Sequence, residues 1–200
     1  MPWAEWIRTV EVEPSLYAAD FSRLGEQIEQ LLGAGVRVFH YDVGDGHFVE
    51  PIIIGPVVLQ SISGLIHEPG GRVDVHLMVE SPERHFRAFR EAGADSVTFH
   101  YEAVEEVAEA AIDAGVDLVL CMSIEPGYSG QPFMPEAYER LRRLRELLPG
   151  TVQLQVDGGV NGDNIGEARQ AGANLFVAAT AVFGEGDPAV SYRRLVDRAG

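Results

Sequence analysis

The sequence predicts an α/β fold, a barrel of parallel strands each followed by a helix, and three observations carry that expectation. Short β-branched runs alternate with longer amphipathic segments along the whole chain. Helix-to-strand turns repeat one small-residue signature, and polar residues collect at the strand ends, where a barrel gathers its active site. With 200 residues the chain is expected to form a single domain over residues 1–200, without linker or low-complexity segment.

In chain order the strands are expected at 10–14, 36–43, 72–78, 96–100, 117–122, 152–157 and 175–179. Helices are expected near 21–34, 56–66, 82–92, 104–114, 135–148, 161–171 and from 188 onward. Several open with a proline, whose missing N–H suits the first helical turn. The clearest places Val104, Val107, Ala108, Ala111 and Ile112 on one apolar face, which predicts packing on a sheet. The repeated turn reads GAGVRVF at 33–39, EAGADSVTF at 91–99, DAGVDLVL at 113–120 and QAGANLFV at 170–177. Glycine there permits the left-handed residue that ends many helices, and the alanine before it allows close helix–strand packing.

Composition removes several function classes. The apolar set is 46% and charged residues are 23%, with no run near the roughly 18 apolar residues that span a bilayer. A net charge of −16 repels phosphate backbones and anionic membranes, so neither nucleic acid nor membrane is expected as a partner. All 15 basic residues are arginine. Without lysine there is no Schiff-base aldolase chemistry, no pyridoxal-phosphate attachment and no Walker-loop amine. No GxSxG elbow is present, and Cys121, the single cysteine, has no histidine near it in sequence. A lone thiol and the lack of a secretory leader pattern lead to the expectation of a cytoplasmic protein.

The strand-end residues point to chemistry. In FHYDVGDG, His40 and Asp42 are two apart and share one side of a strand; Asp74 and His76 repeat that spacing in VDVHLM, and Asp157 ends QLQVDGG. Either histidine alone reads as a hydrogen-bonded core residue. Together, two imidazoles and two carboxylates from three strands can converge on one divalent cation, a mixed N/O set suited to Zn, Fe, Mn or Co. Glycine-rich stretches follow later strands: PGYSGQ at 126–131, DGGVNGDN at 157–164 and the AAT at 178–180. Such loops either make tight turns or offer backbone N–H groups to a phosphate.

These fragments, with PSLYAADFSRLGEQI, DVHLMVESPE, CMSIEPGYSGQPF and FVAATAVFG, closely resemble in order the ribulose-phosphate 3-epimerase family of TIM-type barrels. The resemblance implies an isomerase of carbohydrate metabolism, acting in the pentose phosphate pathway on D-ribulose 5-phosphate and D-xylulose 5-phosphate. It implies one divalent metal ion held by His40, Asp42, His76 and Asp157, with Asp42 and Asp157 as the acid/base pair. Ser15 and His76 match substrate contacts, and the phosphate loops match Gly127, Tyr128, Ser129 and Gly130, Gly158 with Gly159, and Ala179 with Thr180. Removing the proton beside a ketone and returning one to the opposite face requires two such groups and no redox cofactor.

Departures from the family pattern set further expectations. Between HYEA at 100–103 and VDLVLCMS at 116–123 the family usually carries one more strand and helix, so about seven βα units are counted instead of eight. The barrel either closes with fewer strands or stays open, leaving edges for a partner, and a homo-oligomer is expected. Gly44 stands where the family has methionine, and Val49, Glu50 and Pro51 replace its VPN. Glu125, Ser129, Ala179 and Thr180 are further exchanges in the phosphate loops. Two alternatives stay open beside the pentulose-phosphate epimerase: an allulose-6-phosphate 3-epimerase, and a catalytically weak barrel that keeps metal and phosphate binding.

Overall fold

A computed structural model describes residues 3–184 and 186–200. The strands are β1 (Glu11–Pro14), β2 (Val38–Gly44), β3 (Arg72–Met78), β4 (Ser96–Phe99), β5 (Leu118–Met122), β6 (Gln153–Asp157) and β7 (Leu175–Ala178). The helices are α1 (Leu24–Gly33), α2 (Pro56–His67), α3 (Phe86–Ala92), α4 (Glu105–Ala114), α5 (Glu136–Leu147), α6 (Ile165–Gln170), α7 (Thr180–Phe183) and α8 (Pro188–Ala199). Every ladder is parallel, and the strand orders are β1-β7-β6-β5 and β2-β3-β4. An isolated parallel bridge between Ser15 and His40 joins them, giving the order 5-6-7-1-2-3-4. This is a TIM-type (β/α) barrel with one unit fewer than eight.

The expected elements are found in order, and the differences at their ends have local causes. Gly35, Gly93, Gly115 and Gly172, one in each copy of the repeated turn, have φ of 99°, 110°, 90° and 114°, the left-handed region that the signature anticipates. The helices expected from 21 and from 82 begin as tight 3-10 turns, Phe21–Arg23 and Pro82–Arg84. The helix expected from 161 starts only at Ile165. Asn161 and Asn164 instead fold their side chains onto backbone groups, accepting from Asp163 N and Asn161 N at 2.8 and 2.9 Å. The short α7 was not anticipated, because LFVAATAVF is one apolar run in which period alone cannot separate strand from helix.

Alternation along the strands divides the core in two. Phe39, Tyr41, Val73, Val75, Leu77, Leu154, Val156 and Phe176 are buried in the main apolar cluster with residues of the surrounding helices, such as Ile28, Leu59, Phe89 and Leu195. The intervening residues face the barrel axis. At its lower end Trp3, Ile7, Val38 and Leu175 form a separate plug. Above the plug the axis is polar, filled by Glu13, His40, Asp74 and Gln155, each fully buried. One pleat higher lie Asp42, His76 and Asp157.

The barrel is not closed. β4 and β5 exchange no ladder hydrogen bonds, and a cavity of about 1210 Å³ opens between them, walled by Val97, Phe99, Leu118, Leu120, Ile112 and Leu144. The expectation that the apolar face of the 104–114 helix packs on a sheet fails at Ile112, which is 58% exposed, because the strand position beneath it is empty. Ala108 of that face lies outside the described side chains. Among the described residues no helix is long and apolar enough to cross a membrane.

An open seam leaves backbone groups of its flanking strands unprotected. In hydrogen-exchange mass spectrometry, peptides covering β4 and β5 should exchange faster than those covering β2 and β3; equal protection would mean that the seam is closed in solution.

Candidate active site

Neighbouring pleats bring the four sequence-selected ligand candidates together at the upper mouth. His40 and Asp42 rise from β2, His76 stands in register beside Asp42 on β3, and Asp157 ends β6, with β7 and β1 lying between β6 and β2. Each offers a ligand atom, and these atoms all lie within 4.8 Å of one another. His40 Nε2 is 3.3 Å from Asp42 Oδ1 and 3.9 Å from Asp157 Oδ2. His76 Nδ1 is 3.0 Å from Asp42 Oδ1 and 3.6 Å from Asp157 Oδ2. The two imidazoles therefore approach the carboxylates through different ring nitrogens.

Hydrogen bonds fix the two aspartates from outside the cluster. Ser15 Oγ donates to Asp42 Oδ2 at 2.5 Å, which puts the serine at the foot of the site. Ser123, fully buried after β5, donates from its amide and hydroxyl to the Asp157 carbonyl and from the hydroxyl to the Gly158 carbonyl, at 2.7, 2.9 and 2.7 Å. In contrast, neither ring nitrogen of His40 has a well-directed hydrogen bond despite its buried position. A buried, unpartnered imidazole nitrogen facing two carboxylates is a donor set awaiting a cation.

The electrostatics have the same sense. Burial opposes ionisation of Asp42, yet His40 and His76 beside it hold its carboxyl well below the usual carboxylate range. Burial works against a charge on His40 too, but Asp42, Asp74 and Asp157 push that imidazole well above its ordinary value. His76 is likewise raised, against burial, by Asp157 and Asp42. Burial, then His76, lowers His100 to about 3 and keeps it neutral. Burial, reinforced by Asp74, drives the Glu13 carboxyl well up.

The remaining sequence-selected residues line one small pocket directly above the cluster. Ser15, Gly127, Tyr128, Ser129, Gly130, Gly158, Gly159, Ala179 and Thr180 surround it together with Asp42 and Asp157. His76 lies beneath, in contact with Asp42. The pocket's volume is about 40 Å³. The much larger cavity belongs to the open seam and meets the site at His76, His100 and Met122; the convergent polar groups make the small pocket the candidate site.

Glycine is required where the loops cross. A Cβ on Gly158, at φ 118°, would lie 2.4 Å from Ile124 Cγ1 and 2.9 Å from its amide nitrogen. One on Gly159 would lie 2.6 Å from the Phe133 amide nitrogen. Gly44 is equally constrained, since an added Cβ would meet the Pro51 carbonyl at 2.8 Å and Val49 at 2.9 Å. The loop of 45–55 thus packs where a side chain would stand. Met78, Gly44's partner in register, and Met122 line the pocket and supply apolar cover.

Several site residues escape the motif reading. Met78 and Met122 are two of them. Glu13, Gln155, Ser96 and His100 are others: Gln155 Nε2 donates to Glu13 Oε2 at 2.6 Å and to Asp74 Oδ2 at 3.0 Å, and Ser96 Oγ donates to Asp74 Oδ1. His40 Nδ1 stands 3.2 Å from that Asp74 Oδ2. The signal was present, since each of these polar residues lies two positions from another inward-facing one: Glu13 from Ser15, Gln155 from Asp157, and Ser96 and His100 from Thr98.

The profile of the Ribulose-phosphate 3 epimerase family matches residues 11–114 and 107–183. The chain belongs to this family. Residues 107–114, most of α4, fall in both matched segments, as expected if one helix stands where the family profile has two. Ribulose-phosphate 3-epimerase of Escherichia coli (strain K12) is 38% identical over 215 residues, 93% of this chain and 92% of that protein. The Mycobacterium leprae protein of the same description is 36% identical over 217 residues, 94% and 95% of the two chains. Family membership makes the chain an enzyme of the isomerase class. Solved structures share the fold alone: orotidine 5'-phosphate decarboxylase from Pyrococcus horikoshii OT3 is 16% identical with a TM-score of 0.64, over 94% of this chain and 98% of that one. Thiamine phosphate pyrophosphorylase from Pyrococcus furiosus is 17% identical with a TM-score of 0.59, over 96% of each chain.

Gly158→Ala should lower stability by about 1–3 kcal/mol through left-handed strain and the clash with Ile124. Thermal melting checks this, and an unchanged midpoint would show that the two loops are not packed as described.

Proposed function

We propose that this chain interconverts D-ribulose 5-phosphate and D-xylulose 5-phosphate by moving the C3 proton through an enediolate, with Asp42 and Asp157 as the acid/base pair. One observation carries the reading: carboxylates from β2 and β6, on separate sides of the barrel mouth, reach the same pocket floor. That arrangement suits removal of a proton from one face of a planar intermediate and delivery to the other. One aspartate begins ionised and takes the proton from C3; the other begins protonated and gives its proton to the opposite face of C3. The two exchange states over a turnover, so atoms and charge balance without a redox partner.

A divalent ion fits the donors at this site. His40 through Nε2, His76 through Nδ1, Asp42 and Asp157 would hold it, a mixed N/O set suited to Zn, Fe, Mn or Co. When bound, such an ion stabilises the negative charge that develops on the substrate's oxygens. Ser15 orients Asp42 through its 2.5 Å hydrogen bond, while Met78 and Met122 keep water from the reacting carbon. Backbone N–H groups of the loops at 127–130, 158–159 and 179–180 are assigned to the phosphate, helped by the Thr180 hydroxyl. Admission of a five-carbon sugar phosphate to this small pocket would require its rim, which includes 127–130, to move. The same reading takes residues 1–200 as one barrel domain of a cytoplasmic homo-oligomer. It is supported by the unpaired seam edges and by the single, buried thiol.

Asp42→Asn and Asp157→Asn should each slow exchange of the substrate's C3 proton with solvent by at least about 100-fold, while inorganic phosphate still binds. NMR with pentulose and hexulose phosphates side by side measures this. Full exchange in either variant removes that aspartate from the acid/base role, preference for the hexulose phosphate reassigns the substrate, and phosphate binding without exchange in the wild type leaves a binding barrel.

Metal uptake should also release protons, because His40 and His76 hold theirs above the ordinary imidazole range until a cation displaces them. Affinity for Zn2+ should therefore rise with pH through and above the ordinary imidazole range. Calorimetry in buffers of different ionisation heat tests the point, and pH-independent binding without proton release would contradict it.

A further inference from the structure

We infer that His100 is a positioning residue for the metal centre, holding the Nε2–H of His76 so that Nδ1 stays free for the ion. The inference rests on the metal-binding reading above and assigns a part to a residue outside the four ligands. His76 Nε2 and His100 Nε2 are 2.9 Å apart, so one nitrogen carries the hydrogen and the other accepts it. Their ring planes are inclined by only 24° and their centroids lie 5.0 Å apart, close to the nitrogen separation plus a ring radius at each end. The rings therefore meet edge to edge, in line for an N–H···N bond, rather than face to face.

The neighbours of His76 decide the direction. His76 turns Nδ1 toward Asp42 and Asp157, the side where a cation needs a lone pair, so its hydrogen belongs on Nε2. His100 Nδ1 faces the exposed Glu102 carboxylate, 3.7 Å away and beyond hydrogen-bond reach, so with the hydrogen of the shared contact on His76 Nε2 the His100 Nε2 supplies the lone pair. The Phe48 ring, 4.9 Å from that of His100, covers it from the loop that follows β2. His40 is backed differently, by the Asp74 carboxylate at 3.2 Å.

The open seam makes this contact matter in this chain. His76 and His100 both border the 1210 Å³ cavity between β4 and β5, where a further strand would otherwise exclude solvent. With His100 absent, water in that cavity would compete for the His76 hydrogen and free the ring to rotate. His100 occupies that position and fixes both tautomer and orientation.

The test uses Zn2+ alone, titrated against a competing chelator on the metal-free full chain. His100→Ala should weaken Zn2+ binding by about 10–100-fold. His100→Gln, whose amide oxygen can accept the same hydrogen, should recover most of that loss. In the zinc-bound wild type, 15N spectra of the histidine rings should show His76 protonated at Nε2 and not at Nδ1. That pattern decides the matter even if an alanine variant does not fold. Unchanged affinity in His100→Ala, an equal loss in His100→Gln, or a proton on His76 Nδ1 would each overturn the inference. Zinc binding by the wild type alongside an unchanged His100→Ala removes this inference alone, whereas no zinc binding by the wild type removes the metal reading with it.

Discussion

The structure depends on one constraint: the pleat sends every second residue of each strand to the barrel axis, and above the apolar plug those from β1, β2, β3 and β6 are polar. Barrel interiors are ordinarily filled by branched apolar side chains. Here Glu13, His40, Asp74 and Gln155 fill one level at full burial, and Asp42, His76 and Asp157 lie one pleat above. Burying such groups is tolerable only where each finds a partner. The lower level meets part of that demand within itself, through Gln155 and Ser96, while Glu13 Oε1 and Gln155 Oε1 have no hydrogen-bond partner. His40, at the top of this level, is left without a directed bond, which a cation held with Asp42, His76 and Asp157 would supply.

Much of this was legible in the sequence because period and turn chemistry are local. The four glycine turns and the seven strands along the chain follow from alternating runs and left-handed glycines, which need no tertiary context. His40, Asp42, His76 and Asp157 stood out as charged or titratable groups in apolar strands. Glu13, Gln155 and His100 did not, since a single polar residue in a strand looks the same whether it faces water or an axis. Only the ladder register shows that they face inward. The role of Ile112 and the existence of α7 were likewise beyond local pattern, the first set by a strand that is not there and the second by an apolar run of ambiguous period.

The position of the missing unit explains how a smaller barrel keeps a complete site. The ligand candidates rise from β2, β3 and β6, and the glycine loops follow β5, β6 and β7. The seam lies between β4 and β5, so it removes wall rather than site. It approaches the chemistry at His76, at Met122 and at His100 just after β4. The Gly44 exchange is also compensated locally: Val49 and Pro51 occupy the space beside it, and Met78 across the ladder lines the pocket.

Crystallographic anomalous scattering from metal-loaded protein tests the central claim most directly. The account predicts one divalent ion per chain, about 2.0–2.2 Å from His40 Nε2, His76 Nδ1 and carboxylate oxygens of Asp42 and Asp157. An ion bound elsewhere, or no ordered ion at all among these four side chains, would contradict it.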